Sequence, residues 1–171
     1  MFIENIPSDK ATNVGQLKIT STEISNWAMA SSADSFTLWT KANFNLDIDG
    51  GYEKYTDRGM IETGDFHMLG PTGPDGEQNI IATHSYIMDC GNDSNAIELY
   101  RYWQIDNSAD AFKIPRYKTT TAFAIAVQGG ITVYAHFKKF YFELKFSGFS
   151  DLTQAAATAV QFLGLFRAKI E

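Results

Sequence analysis

Residues 123–146 read FAIAVQGGITVYAHFKKFYFELKF, and the apolar parity of this stretch decides the fold class. Phe123, Ile125 and Val127 alternate with small residues, and Ile131, Val133, Ala135 and Phe137 alternate again after Gln128-Gly129-Gly130. Successive strand side chains point to opposite faces, so two alternating runs joined by a Gly-containing turn predict a β-hairpin. After Phe137 the parity flips, and Phe140, Phe142, Leu144 and Phe146 carry the apolar pattern. A one-residue slip would turn all four to the wrong face, so Lys138-Lys139 has to hold a bulge or a turn. Two adjacent lysines lack the Gly, Asn or Asp of a tight turn, which favours a bulge and one long bent strand.

The same period runs through residues 36–49. Phe36, Leu38, Ala42, Phe44, Leu46 and Ile48 face one way, and Lys41, Asn43, Asn45, Asp47 and Asp49 the other, predicting one long strand ended by Gly50-Gly51. Further strands are expected at 16–20, 80–88 and 97–105. Between 50 and 79 glycines and prolines accumulate, and LGPTGPDGEQN (69–79) reads as irregular, giving an exposed loop over 64–79. Ile24, Trp27 and Ala28 have helical spacing. A stronger helix begins after Asp151: Leu152, Ala155, Ala156, Ala159, Val160, Leu163 and Phe166 form one apolar stripe, Asp151 with Gln154 suggests a capping box, and Arg167 and Lys169 favour the helix C-terminus.

These elements predict a mainly β fold, an antiparallel β-sandwich or jelly-roll-like barrel with a C-terminal α-helix. The expected organisation is an N-terminal arm over 1–15, a β domain over 16–150, and a helix over 151–171 packed on the domain or on a neighbouring subunit. A chain of 171 residues can bury a core without disulfides or metal. With 14 Lys+Arg against 20 Asp+Glu the net charge is −6, and no basic run exceeds Lys138-Lys139, which argues against nucleic acid as a partner. No apolar run approaches a membrane span. The opening MFIENIPSDKATNVG lacks the features of a secretory signal, so synthesis in a cytoplasm is expected. Cys90 is the single cysteine and is expected to be a buried spectator thiol.

Candidate chemistry is sparse. Asn45, Asp47 and Asp49 followed by Gly50 match the first half of an EF-hand-type calcium loop, but Thr56 stands where a bidentate Glu belongs, so a polar strand face running into a turn is preferred. Asp89, Asn92, Asp93 and Asn95 read as turn formers. His67, His84 and His136 show no metal-ligand spacing. Glu98 and Glu143 are expected to be solvated cross-strand partners, and neither a nucleophile elbow nor a phosphate loop is present. No catalytic residue and no cofactor are therefore expected.

The aromatics carry more. Tyr100, Tyr102 and Trp103 crowd one expected strand, while Trp39, Tyr117, Tyr134 and Tyr141 fall on faces that otherwise read as polar. Such rings are core if both sheet faces are covered; otherwise they suit a protein interface or stacking on sugars. Trp39, Tyr100, Tyr102, Trp103, Tyr134, Tyr141 and Phe166 are the candidate contact residues. The expected function is a non-enzymatic structural subunit working through contacts with other protein subunits, as a homo-oligomer or in a larger assembly. A virion component, such as a phage capsid-decoration, tail or baseplate protein, is the setting named first. A carbohydrate-binding module or adhesin head with a glycan partner is the alternative, and a small hydrolase the third.

Overall fold

The computed structural model describes residues 10–30, 36–48, 50–82, 84–114 and 121–171. The strands are β1 (Ala28–Met29), β2 (Phe36–Thr40), β3 (Glu62–Phe66), β4 (Met68–Thr72), β5 (Gln78–Ile81), β6 (Tyr86–Asp89), β7 (Ala111–Phe112), β8 (Ala122–Val127), β9 (Gly130–Phe137) and β10 (Phe140–Ser147). The helices are α1 (Glu53–Thr56), α2 (Asp93–Asp106) and α3 (Leu152–Ile170), with 3-10 turns at Val14–Leu17 and Phe44–Leu46. All strand pairs are antiparallel, and the sheet is open rather than closed into a barrel. The expected fold class, mainly β with a C-terminal helix, is the observed one.

The registers show how the strands line up. On β10, Tyr86 of β6 stands opposite Glu143, and Ile81 of β5 stands opposite Phe146. Residues 82–85 therefore span what residues 144–145 span on β10, and β5 and β6 are two halves of one strand broken by a bulge. β3 and β4 pair with these halves in turn, with Asp65 opposite Tyr86 and Met68 opposite Ile81. β2 and β1 pair outside β3 and β4. Across the sheet the order is β7, β8, β9, β10, then β5 with β6, β4 with β3, and β1 with β2, and the breaks after β5 and after β3 lie side by side. His84 sits in the break after β5 with φ of 60°, in the left-handed region.

Both faces of the sheet are covered. On one, Phe140, Phe142, Leu144 and Phe146 of β10 and Ile131, Val133, Ala135 and Phe137 of β9 meet Phe162, Leu163 and Phe166 of α3, together with Val14, Leu17 and Ile19. On the other, Tyr134, Tyr141, Tyr86, Met88 and Phe123 meet Ala96, Leu99 and Tyr100 of α2, Tyr55 of α1, and Phe44. Burying a ring of this size contributes roughly 1.5–3 kcal/mol, so each face supports its own layer.

The hairpin of β8 and β9 turns at Gln128-Gly129, with Val127 opposite Gly130. Lys138-Lys139 forms a second two-residue turn, not the expected bulge, with Phe137 opposite Phe140. Lys138 takes φ of 48°, and tertiary bonds hold the turn. Lys138 Nζ donates to the Ile170 carbonyl at 3.2 Å, and Lys139 Nζ pairs with Asp89 Oδ2 at 2.6 Å.

Other local expectations are corrected. The strand over 36–49 stops at Thr40, because Asn43 Oδ1 accepts from the Thr40 N–H at 2.7 Å and draws the chain into the Phe44–Leu46 turn. Thr56, at the twelfth loop position, lies in α1. The strand over 16–20 is replaced by a 3-10 turn whose capping box joins Asn13 and Gln16. Residues 24–28 form a turn with Asn26 at φ of 65° and lead into β1, not a helix. Residues 97–105 lie in α2, whose N-cap Asn92 accepts from the Asn95 N–H at 2.9 Å.

The 64–79 segment is largely sheet, and its irregular part shrinks to the tip between Thr72 and Gln78. Gly64 and Gly70 fit within strands because Phe36 and Trp27 lie where their Cβ atoms would be. Pro71 lies beyond the β1 pairing at Ala28–Met29, where a missing N–H costs no ladder bond on that side. α3 begins at Asp151, whose Oδ1 accepts from the Thr153 N–H at 2.7 Å; this cap does not involve Gln154.

Candidate functional site

The break in the sheet opens a pocket of about 350 Å³ lined by Asp47, Ile48, Tyr55, His84, Tyr86, Glu143 and Lys145. Two of these, Glu143 of β10 and Tyr86 of β6, stand side by side in a cross-strand row that continues through Asp65 of β3 to Thr37 of β2. Asp47 arrives from the end of the 3-10 turn after β2, Tyr55 from α1, and His84 from the bulge. Bulges re-aim side chains away from the ladder, and this one sets an imidazole beside two carboxylates.

Glu143 is buried, not solvated as expected. Its Oε2 accepts from Tyr55 Oη at 2.9 Å and from Tyr141 Oη at 3.4 Å. Burial raises its pKa, opposed by Lys145 and the two tyrosine bonds. Asp65, 9 % exposed, is pushed up to about 6, first by burial and then by the charge of Asp47, against the pull of His84 and Lys145. Tyr86 Oη donates to Asp47 Oδ2 at 2.9 Å and lies 2.9 Å from His84 Nδ1, so it fixes the spacing of those two groups. One donor atom each from Asp47, Asp65 and His84 lie within 4.8 Å of one another. Titratable groups with shifted pKa values gathered in a cleft mark a place where charge is handled.

The expected contact residues are dispersed. Tyr100, Tyr134, Tyr141 and Phe166 are buried within the chain's own layers. Phe166 packs on Phe66 and Phe142 with ring centroids 5.9 and 5.0 Å apart. Trp103 lies on α2, stacked on Tyr134 at 5.9 Å. Tyr102 carries Arg58 over its ring at 3.8 Å. Trp39 is half-buried on β2, packed against the α2-side core. Tyr117 and Asp49 lie outside the described residues. Asn45 is exposed in the 3-10 turn, and among the described oxygen-bearing residues of the calcium-like motif Asp47 is the one that lines the pocket.

Among the turn formers, Asp89 accepts from the Gly91 N–H, Asn92 caps α2, and Asn95 donates to the Cys90 carbonyl. The Cys90 thiol is buried and pushed up to about 12 by burial and by Asp89, which disfavours the reactive thiolate. His136 packs on Tyr100 at 4.8 Å, and Glu98 is exposed on α2. Tyr55, Tyr86 and Lys145 of the pocket, and Asp65 grouped with Asp47 and His84, are the residues that sequence reasoning missed. The available signal was a carboxylate at a strand position whose neighbours on the same face, Tyr141 and Tyr134, are aromatic.

A second feature is an edge. β2 pairs with β3 on one side, and among the described residues no strand pairs with its other side. Its sequence, FTLWT, holds no charge and no proline, and Leu38 is 47 % exposed. Strand edges are commonly blunted by lysine, proline or a bulge, and β2 shows none of these.

The fold and pocket thus define an open antiparallel β domain with a polar site at a break in its sheet. Compared with protein-family models, with curated proteins and with solved structures, the chain matches none. No helix among the described residues is long and apolar enough to cross a membrane.

Proposed function

We propose that this protein is a non-enzymatic structural subunit that joins a neighbouring protein subunit by strand addition along β2. The observation that supports this reading is the uncharged outer edge of Phe36–Thr40, with Leu38 exposed beside it. An added strand satisfies the outward N–H and C=O groups, and alternate side chains supply specificity. Two aromatic cores, one on each face, make the sheet a rigid block suited to repetition. A homo-oligomer, or a virion part such as a capsid-decoration, tail or baseplate subunit, is the proposed setting.

Light scattering over about a hundredfold range of concentration tests the proposal. The wild-type chain is expected to form a discrete oligomer and the Leu38→Lys, Thr40→Lys double variant a folded monomer. A wild-type chain that stays monomeric throughout, or a double variant that assembles equally well, contradicts it.

A further inference from the structure

We infer that Asp47, Asp65 and His84 form a binding site for a divalent first-row transition ion, Mn2+ or Zn2+, at the sheet break. Three donor atoms from three separate chain segments lie within 4.8 Å of one another. Donors on one such ion stand about 3–3.5 Å apart, so small side-chain rotations complete the approach. An independent observation is Asp65 Oδ1, which is buried and has no hydrogen-bond partner, on a residue only 9 % exposed. A buried carboxylate oxygen left unpaired is unfavourable, more so than a neutral group, because burial removes the water that would otherwise solvate it. A cation supplies the missing partner.

The electrostatics agree. Asp47 and Asp65 bring two carboxylates to within 4.8 Å of each other, and a bound cation converts their repulsion into attraction. Tyr86 Oη, bonded to Asp47 and beside His84, acts as a positioning group for both. Two carboxylates with one imidazole suit Mn2+ or Zn2+ better than Ca2+, which prefers an all-oxygen shell. The adjoining pocket of about 350 Å³ leaves room for water or an exogenous ligand on the open side of the ion. A bound ion ties the segment after β2 to β3 and to the bulge. The inference stands independently of assembly through β2.

The test is calorimetric titration of the chelator-treated full chain with MnCl2, ZnCl2 and CaCl2 at about pH 7.5. The variants are Asp65→Asn and His84→Gly; glycine accepts the left-handed backbone of position 84 and removes the imidazole. Circular dichroism identifies the folded variants, and His84, with half its side chain exposed, can be changed without opening the core. The expected result is saturable uptake of one equivalent of Mn2+ or Zn2+, weakened about tenfold or more in every folded variant. No saturable uptake below about 1 mM, uptake unchanged in a folded variant, or selective uptake of Ca2+ overturns the inference.

Discussion

Tyr55 and Glu143, 88 positions apart in the chain, meet in the α2-side core, where the Tyr55 hydroxyl donates to Glu143 Oε2 at 2.9 Å. A short helix and the central strand are thereby joined through a buried carboxyl group whose charged form burial disfavours. Removing the donor while keeping the carboxyl leaves the acid less satisfied. Tyr55→Phe is expected to lower unfolding free energy by about 1–3 kcal/mol in urea melts.

The pH dependence of Glu143 has a definite sign. Its folded pKa lies above the ordinary 4.5, so the fold binds the proton more tightly than the unfolded chain does. The associated stability is fully present below 4.5 and is lost as pH rises through the folded value. Glu143→Gln removes that loss, and denaturant melts from pH 4 upward are expected to show a flatter profile than wild type.

Asp65 behaves in the same sense over a narrower window. Its pKa of about 6 against the ordinary 3.8 means that metal-free protein loses stability as pH rises between those values. Asp65→Asn is expected to abolish this slope and to match or exceed metal-free wild type at neutral pH. Thermal midpoints recorded in chelator across that window provide the check.

Gly148 follows β10 with φ of 75°, and an added Cβ would meet the Gln78 carbonyl. Left-handed backbone alone costs a non-glycine residue about 1–2 kcal/mol, and here the obstacle is backbone that cannot rotate aside. Gly148→Ala is expected to lose more than this in chemical denaturation, whereas Gly76→Ala, also left-handed but in open space, loses only the backbone cost.

Phe166 fills the space between α3 and the sheet, fully buried against Phe66 and Phe142. Truncation to alanine is expected to cost about 3–5 kcal/mol. Leu46, 74 % exposed, should change stability by less than about 0.5 kcal/mol when truncated.

The β8–β9 hairpin and α3 were legible because turn residues and apolar period agreed with the tertiary structure. α2 was not, since Ile97, Leu99, Tyr102 and Trp103 offered competing periods, and Ala96, Leu99, Tyr100 and Trp103 show the helical face only once Asn92 is known to cap it. β3 and β4 were hidden by Gly64, Gly70 and Pro71, whose fitness for a strand depends on Phe36, Trp27 and the short reach of β1. The Lys138-Lys139 turn depends on Asp89 and Ile170, which are remote in sequence. The pocket was out of reach for the same reason: Asp47, Asp65 and His84 belong to three segments aligned only by the register shift between β5 and β6.

Assembly through β2 is tested most directly by amide hydrogen exchange of residues 36–40 at low and high protein concentration. These amides are expected to gain protection as the mass rises, while exchange in the α3-side core stays constant. A rise in mass with unchanged exchange across residues 36–40 would contradict it.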